Sequence, residues 1–209
     1  MKSQLMTPTA LSQLQLSGKT LEQDARGIKV TQLPDGNIVK LFKLRGFFTS
    51  SRVYSNERSF CRNALRLQQR GIATVTNCQL FHFAGLADTA VIYKPLAGET
   101  VRNLLKNQQF SSQDCEHLGQ FIAELHQKGV YFRSLHCGNI VKTSDGFGLI
   151  DIADMKIYPW QLWKKTCERN FDRLFRYQED VDKLIQFGGK QVIMQAYLAS
   201  KSWLTRCIF

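Results

Sequence analysis

Apolar positions recur along the chain with two different periods, and the order in which the periods change predicts the architecture. Residues 27–33 (GIKVTQL) and 37–42 (NIVKLF) are short β-branched runs on either side of Pro34-Asp35-Gly36. Proline presets φ and glycine takes conformations that other residues avoid, so the triplet is a turn and the two runs form a β-hairpin. Residues 55–70 (SNERSFCRNALRLQQR) switch to a helical period. Phe60, Ala64 and Leu67 recur at i, i+4 and i+7 as an inward stripe that Gly71 ends, while Arg58, Arg62, Arg66 and Arg70 repeat on another face. Residues 89–96 (TAVIYKPL) read as a buried strand, broken at Ala97-Gly98-Glu99 before a helix near 100–108.

The second half is mostly helical. Over residues 112–128, Leu118, Phe121, Ile122 and Leu125 share one face and Gly129 supplies the stop. NIVKT and FGLIDI are two strands joined through Ser144-Asp145-Gly146, a second hairpin whose far end carries Asp151. Residues 160–177 and 180–199 read as two helices running to the end. The predicted class is α+β in a single domain. A small β-rich N-terminal lobe, a sheet plus one helix, covers residues 1–96, and a mainly helical C-terminal lobe with one hairpin covers 97–209. A chain of 209 residues suffices for two such lobes with a cleft between them, and not for two large independent domains.

Composition narrows the partners. With 44% hydrophobic and 22% charged residues the chain is neither disordered nor fibrous. Its 6 cysteines are scattered with no C-x-x-C pair, which fits reduced thiols rather than a disulfide framework or a zinc ribbon. Gln4, Gln13 and Gln15 interrupt the apolar pattern a secretion signal needs, and no apolar run approaches the roughly 20 residues of a membrane span, so the expected location is the cytoplasm. A formal charge of +11 favours anionic partners such as nucleotides, phosphorylated glycans or acidic lipid headgroups. No nucleic-acid recognition motif accompanies it, which sets nucleic acid aside.

The candidate chemistry lies between the second-half helix and the second hairpin. Protein kinases carry H-R-D-L-x-x-x-N in their catalytic loop and a metal-binding aspartate after the next hairpin. Residues 132–139 here are F-R-S-L-H-C-G-N, and Asp151 follows in L-I-D-I-A-D. That spacing lets Asn139 and Asp151 converge on Mg²⁺, a hard cation that takes oxygen ligands and sits between ATP phosphates. Lys40 lies on the second strand of the first hairpin, placed to neutralise phosphates. Glu57 is the preferred helical partner for that lysine because it carries charge; Asn63 flanks the same stripe from its other side.

The run G-V-Y-F-R-S-L-H-C-G-N-I-V followed by L-I-D-I-A-D-M-K-I resembles the small kinase-like proteins grouped with the lipopolysaccharide-core kinases. These phosphorylate Kdo or heptose and include members called toluene tolerance proteins. The resemblance extends over roughly residues 27–200, through VKLF, YKPLAGET and ELHQKG. It implies a kinase-like fold, ATP and Mg²⁺ as cofactors, and a small or glycolipid acceptor of the lipopolysaccharide core, with peripheral contact at the inner membrane. In that reading Lys40 and Glu57 serve the phosphates, the backbone near Lys94 and Leu96 meets adenine, Asn139 and Asp151 hold Mg²⁺, and Ser134 and His136 occupy the catalytic loop beside Asp151.

Two positions depart from the kinase pattern. Phe132 replaces the loop histidine, and Ser134 stands where an aspartate accepts the acceptor's proton. A positioned base contributes about 10²–10⁴-fold, while phosphoryl transfer depends mainly on positioning and electrostatics. Two readings therefore stand: a phosphotransferase rewired to use His136 or Asp154, or a nucleotide-binding pseudokinase with a regulatory or scaffold role. No P-loop, Rossmann fingerprint or full glycine-rich kinase loop near Gly27 is present. The basic run Lys164, Lys165, Arg169, Arg173 and Arg176 beside Trp160 and Trp163 reads either as a solvated face over core aromatics or as a seat on an acidic membrane.

Overall fold

The computed structural model describes residues 3–25, 27–42, 56–83 and 88–205. The N-terminal part builds a six-stranded mixed sheet from β1 (Gln4–Met6), β2 (Lys19–Asp24), β3 (Gly27–Gln32), β4 (Ile38–Phe42), β6 (Thr76–Phe83) and β7 (Thr89–Lys94), in the order β1-β6-β7-β4-β3-β2. β1 runs parallel to β6 and the other pairs are antiparallel. The predicted first hairpin is β3 and β4, with Val30 opposite Lys40, and its turn is closed by Leu33 N–H donating to the Asn37 carbonyl at 2.8 Å.

Helix α1 (Pro8–Ser17) lies on one face of this sheet, where Leu11 and Leu14 pack on a small cluster of Leu33, Val39, Phe81, Phe83 and Ala90. Helix α2 (Asn56–Gln68) covers the other face. Its Phe60, Ala64 and Leu67 are buried as the periodicity predicts, and Arg58, Arg62 and Arg66 are exposed.

The rest of the chain comprises β5 (Ala73–Thr74), β8 (Glu99–Thr100), α3 (Val101–Lys106), α4 (Ser112–Gln127), β9 (Val130–Phe132), β10 (Ile140–Thr143), β11 (Gly146–Leu149), a 3-10 turn (Ile152–Asp154), β12 (Met155–Ile157), α5 (Lys164–Leu174), α6 (Gln178–Ile185) and α7 (Gly189–Thr205). A second sheet has the order β5-β11-β10-β8, and β9 pairs with β12. Helix α4 starts with a full capping box: Asp114 N–H donates to Ser111 Oγ at 3.1 Å, and Ser111 N–H donates to the Asp114 carboxylate at 3.0 Å. It ends at Gly129, whose φ of 73° and close approach to the Tyr158 and Trp160 carbonyls leave no room for a Cβ. The class is α+β, a mixed sheet followed by helices.

Two expectations are corrected. The two C-terminal helices are three: residues 160–163 are not helical, and a turn over residues 186–188, with Gly188 at positive φ, separates α6 from α7. The second strand of the second hairpin stops at Leu149, so Asp151 lies in the turn beyond it. The 133–139 loop runs from β9 to β10, and the short strands β9 and β12 form by pairing across the chain, with Met155 opposite Phe132. One buried cluster joins both halves, running from Phe60, Leu67 and Ile72 to Leu118, Leu135, Ile152 and Ile193. No described helix is long and apolar enough to cross a membrane.

Candidate functional site

The 133–139 loop is held by its backbone and by buried amides. Phe132, in the histidine's place, is fully buried, and its carbonyl accepts from Asn170 Nδ2 of α5 at 2.6 Å. That bond also orients a second layer. With Nδ2 committed to a carbonyl, Asn170 presents Oδ1 to His126 Nε2 at 3.2 Å, so Nε2 carries the proton and Nδ1 accepts from the Tyr197 hydroxyl at 3.0 Å. A core aromatic and a tethered carbonyl thus anchor the start of the loop.

Within the loop, Asn139 N–H donates to the His136 carbonyl at 2.8 Å and Asn139 Nδ2 donates to the Ser134 carbonyl at 3.0 Å. Those bonds fix the amide's orientation and leave Oδ1 with no donor among the described residues. The Asn139 carbonyl in turn accepts from Ile150 N–H at 3.1 Å, which brings the approach to Asp151 alongside the loop. Asp151 adopts the left-handed conformation, φ 52° and ψ 45°. Its Oδ1 meets Lys40 Nζ of β4 in an ion pair that spans 111 residues of sequence. Lys40 Nζ also lies 5.8 Å from the ring centroids of Phe42 and Phe60.

Magnitudes argue that this pairing is not there for stability. The Asp151 side chain is 50% exposed, and pairs open to water contribute about 0–1 kcal/mol. A left-handed non-glycine residue costs about 1–3 kcal/mol, at the low end for aspartate. The balance is near zero or unfavourable, so the pair does not account for the stability of the fold.

The remaining expected residues divide. Among the described residues Lys40 pairs with Asp151 and not with Glu57, which is buried at the start of α2. The α2 side chain that reaches the turn is Asn63, 2% exposed, whose Nδ2 donates to the Ile152 carbonyl at 2.7 Å and the Met155 carbonyl at 3.2 Å. Two carbonyls require a donor, which an amide supplies and a carboxylate does not. Lys94 is exposed at the end of β7. Leu96 lines a cleft of about 1310 Å³ with Gly98, Asp114, Phe121 and Lys142; Lys40, Asn139 and Asp151 do not line it. The expected adenine-side residues are therefore not gathered with the Lys40–Asp151 pair around this cleft.

His136 organises the loop. Its Nδ1 accepts from Gly138 N–H at 3.2 Å and its ring meets Tyr177 edge-on at 5.2 Å. Burial, aided by the Arg102 guanidinium, pulls it below the ordinary histidine range, so at neutral pH it is uncharged with its one basic nitrogen already engaged. Arg102 itself lies 4.8 Å over the Tyr177 ring and makes a two-pronged pair with Asp180 of α6, Nη2 to Oδ2 at 2.7 Å and Nε to Oδ1 at 3.0 Å. Burial pushes the Cys137 thiol up to about 12, which leaves it a packing residue. Ser134 Oγ donates to Asp154 Oδ2 at 2.6 Å. The Ser134–Asp154 contact, Asn63 and the Arg102–Asp180 pair carry no local sequence signal as contacts; only the L-I-D-I-A-D spacing put Asp154 near the site.

Among the described residues no three His, Cys, Asp or Glu side chains gather as a metal site would. What the site does offer is one amide oxygen and the second oxygen of one exposed carboxylate beside a lysine. No family model matches the chain, and no curated protein matches it.

Proposed function

We propose that this protein is a kinase-like phosphotransferase that moves the terminal phosphate of ATP, with Mg²⁺, onto a hydroxyl of a sugar acceptor, the acceptor class being lipopolysaccharide-core glycolipid. The observation that carries the reading is the meeting of Lys40, from the sheet, with Asp151, from the turn after the second hairpin, alongside Asn139. Asn139 Oδ1 and Asp151 Oδ2 are hard oxygen ligands of the kind Mg²⁺ takes when phosphates and water complete its shell. They would hold the ion, and Lys40 would bind phosphate. The bound ion supplies charge neutralisation between phosphates.

The surface supports a membrane-borne acceptor. Trp160 and Trp163 are 57% and 76% exposed, and the adjoining Lys164 and Lys165 open α5 without an ion pair among the described residues. Cations at a helix N-terminus oppose its dipole by about 0.3–1 kcal/mol each, a cost that no partner among the described residues offsets. Exposed tryptophans beside unpaired lysines suit the headgroup layer of an acidic membrane.

The test is transfer from labelled ATP to purified envelope glycolipid with Mg²⁺, native protein against Asp151→Ala. Transfer by the native protein well above the variant is expected, and none above it refutes the reading. Serine at position 134 favours one alternative, a nucleotide-binding pseudokinase. Its signature is a Mg-ATP thermal shift that Asp151→Ala removes, with no turnover.

A further inference from the structure

We infer that Asp154 is the proton acceptor of the transfer reaction and that Ser134 connects it to the acceptor hydroxyl, an inference that rests on the phosphotransferase reading above. The Ser134 hydroxyl donates to Asp154 Oδ2 at 2.6 Å, a length typical of a hydroxyl bonded to a carboxylate. Its one proton is thereby committed, so its lone pairs are free to accept a hydrogen bond from a substrate hydroxyl. Ser134 stands at the loop position where kinases place their base, and its carbonyl is tied to Asn139 Nδ2, which keeps it beside the proposed metal-binding amide.

The turn that carries Asp154 is held by α2. Asn63 of α2 binds the carbonyls of Ile152 and Met155, the residues that bracket the 153–154 corner. The carboxylate's other oxygen, Oδ1, is buried with no hydrogen-bond partner among the described residues. Leaving a buried charged oxygen unpaired is unfavourable, so a purely structural anchor for Ser134 would be better served by a neutral acceptor. His136 does not compete for the role, because Nδ1, its basic nitrogen, is engaged by Gly138 N–H.

The step balances without another reagent. The acceptor oxygen bonds to the γ-phosphorus as the bond from that phosphorus to the bridging oxygen breaks, and ADP leaves with the electron pair. The acceptor's proton passes to Ser134 Oγ while the serine's own proton passes to Asp154 Oδ2. Asp154 returns it to water after product release.

The experiment measures transfer to envelope glycolipid by the native protein, Asp154→Asn and the double variant Ser134→Asp/Asp154→Asn, with urea midpoints and Mg-ATP thermal shifts for each. Asp154→Asn should lower kcat by about 10²–10⁴-fold, the contribution of a positioned base, with KM for ATP and the thermal shift unchanged. The double variant moves the carboxylate to the loop and leaves an amide behind it, so it should recover at least about tenfold over Asp154→Asn. A structural role for Asp154 would lower the midpoint and would not be rescued in this way. Turnover within threefold of native in Asp154→Asn, or a double variant no better than the single, overturns the inference alone. No transfer by the native protein overturns the phosphotransferase reading and the inference together.

Discussion

Asn63 offers the most direct test of how the sheet half is joined to the site. It is 2% exposed and gives both hydrogen bonds of one amide, at 2.7 and 3.2 Å, to carbonyls of the turn that follows Asp151. Asn63→Leu keeps the side chain's volume and removes both donors. A buried acceptor left unpaired costs about 1–3 kcal/mol; with one short and one longer bond, the loss should be about 2–4 kcal/mol. Asn63→Asp should be worse, because it keeps the shape but turns a carboxylate toward two carbonyl oxygens. Urea unfolding reads the change as a lower midpoint at constant slope. Thermal melts should fall by about 5–15 °C, at about 2–4 °C per kcal/mol for a chain of this size. Transfer activity should drop along with stability in these variants, since the turn that presents Asp151 and Asp154 loses its anchor. Arg66→Ala, on the exposed face of the same helix, is the control and should stay within about 0.5 kcal/mol of native. An Asn63→Leu protein as stable as that control would refute the claim that this amide joins the two parts.

Three further outcomes are expected. Burial pushes the Asp114 carboxyl up, but the bonds from Lys142 and Ser111 outweigh it and hold the group below its ordinary range. Its stabilising contribution is therefore complete above the unfolded value, about pH 4, and lost as pH falls through the lower folded value. Asp114→Asn should flatten the acid fall of the urea midpoint below about pH 4, and an unchanged profile would refute the assignment. Gly129→Ala should cost at least about 2 kcal/mol in a urea titration, since its Cβ would sit 2.4 Å from two backbone carbonyl oxygens at a positive φ; a neutral substitution would show the α4 stop to be misdescribed. Lys164→Ala/Lys165→Ala should weaken binding to phosphatidylglycerol-containing vesicles about thirtyfold, at about 1 kcal/mol per lysine, with little effect on neutral phosphatidylcholine vesicles. Equal native binding to both vesicle types would dismiss the membrane surface.

The elements legible in the sequence were those whose geometry is set locally. The 34–36 turn, the Phe60-Ala64-Leu67 stripe, the Gly129 stop of α4 and the 144–146 turn each follow from a few neighbouring residues. The first 24 residues escaped because α1 buries no residue fully and β2 is exposed along its length, so neither has a strong period to read. The strands β9 and β12 are three residues each and exist only through pairing with one another. At the site, the spacing of Asn139 and Asp151 was readable while their contacts were not. Glu57 was preferred over Asn63 on charge, whereas the group awaiting it was a pair of carbonyls that needs a donor. Lys40 found its counter-charge on the distant turn instead, a pairing that no local pattern encodes.

The unbroken run of buried side chains from α2 into the helical half has a mechanical consequence. Prising the sheet away from the helices would strip water-shy surface on both sides at once, so any relative motion of the two halves has to be a small tilt rather than a wide gape. Proteolysis at the 97–98 link would not release a self-supporting half, and calorimetry on the intact chain should record one endotherm where two independent lobes would give two.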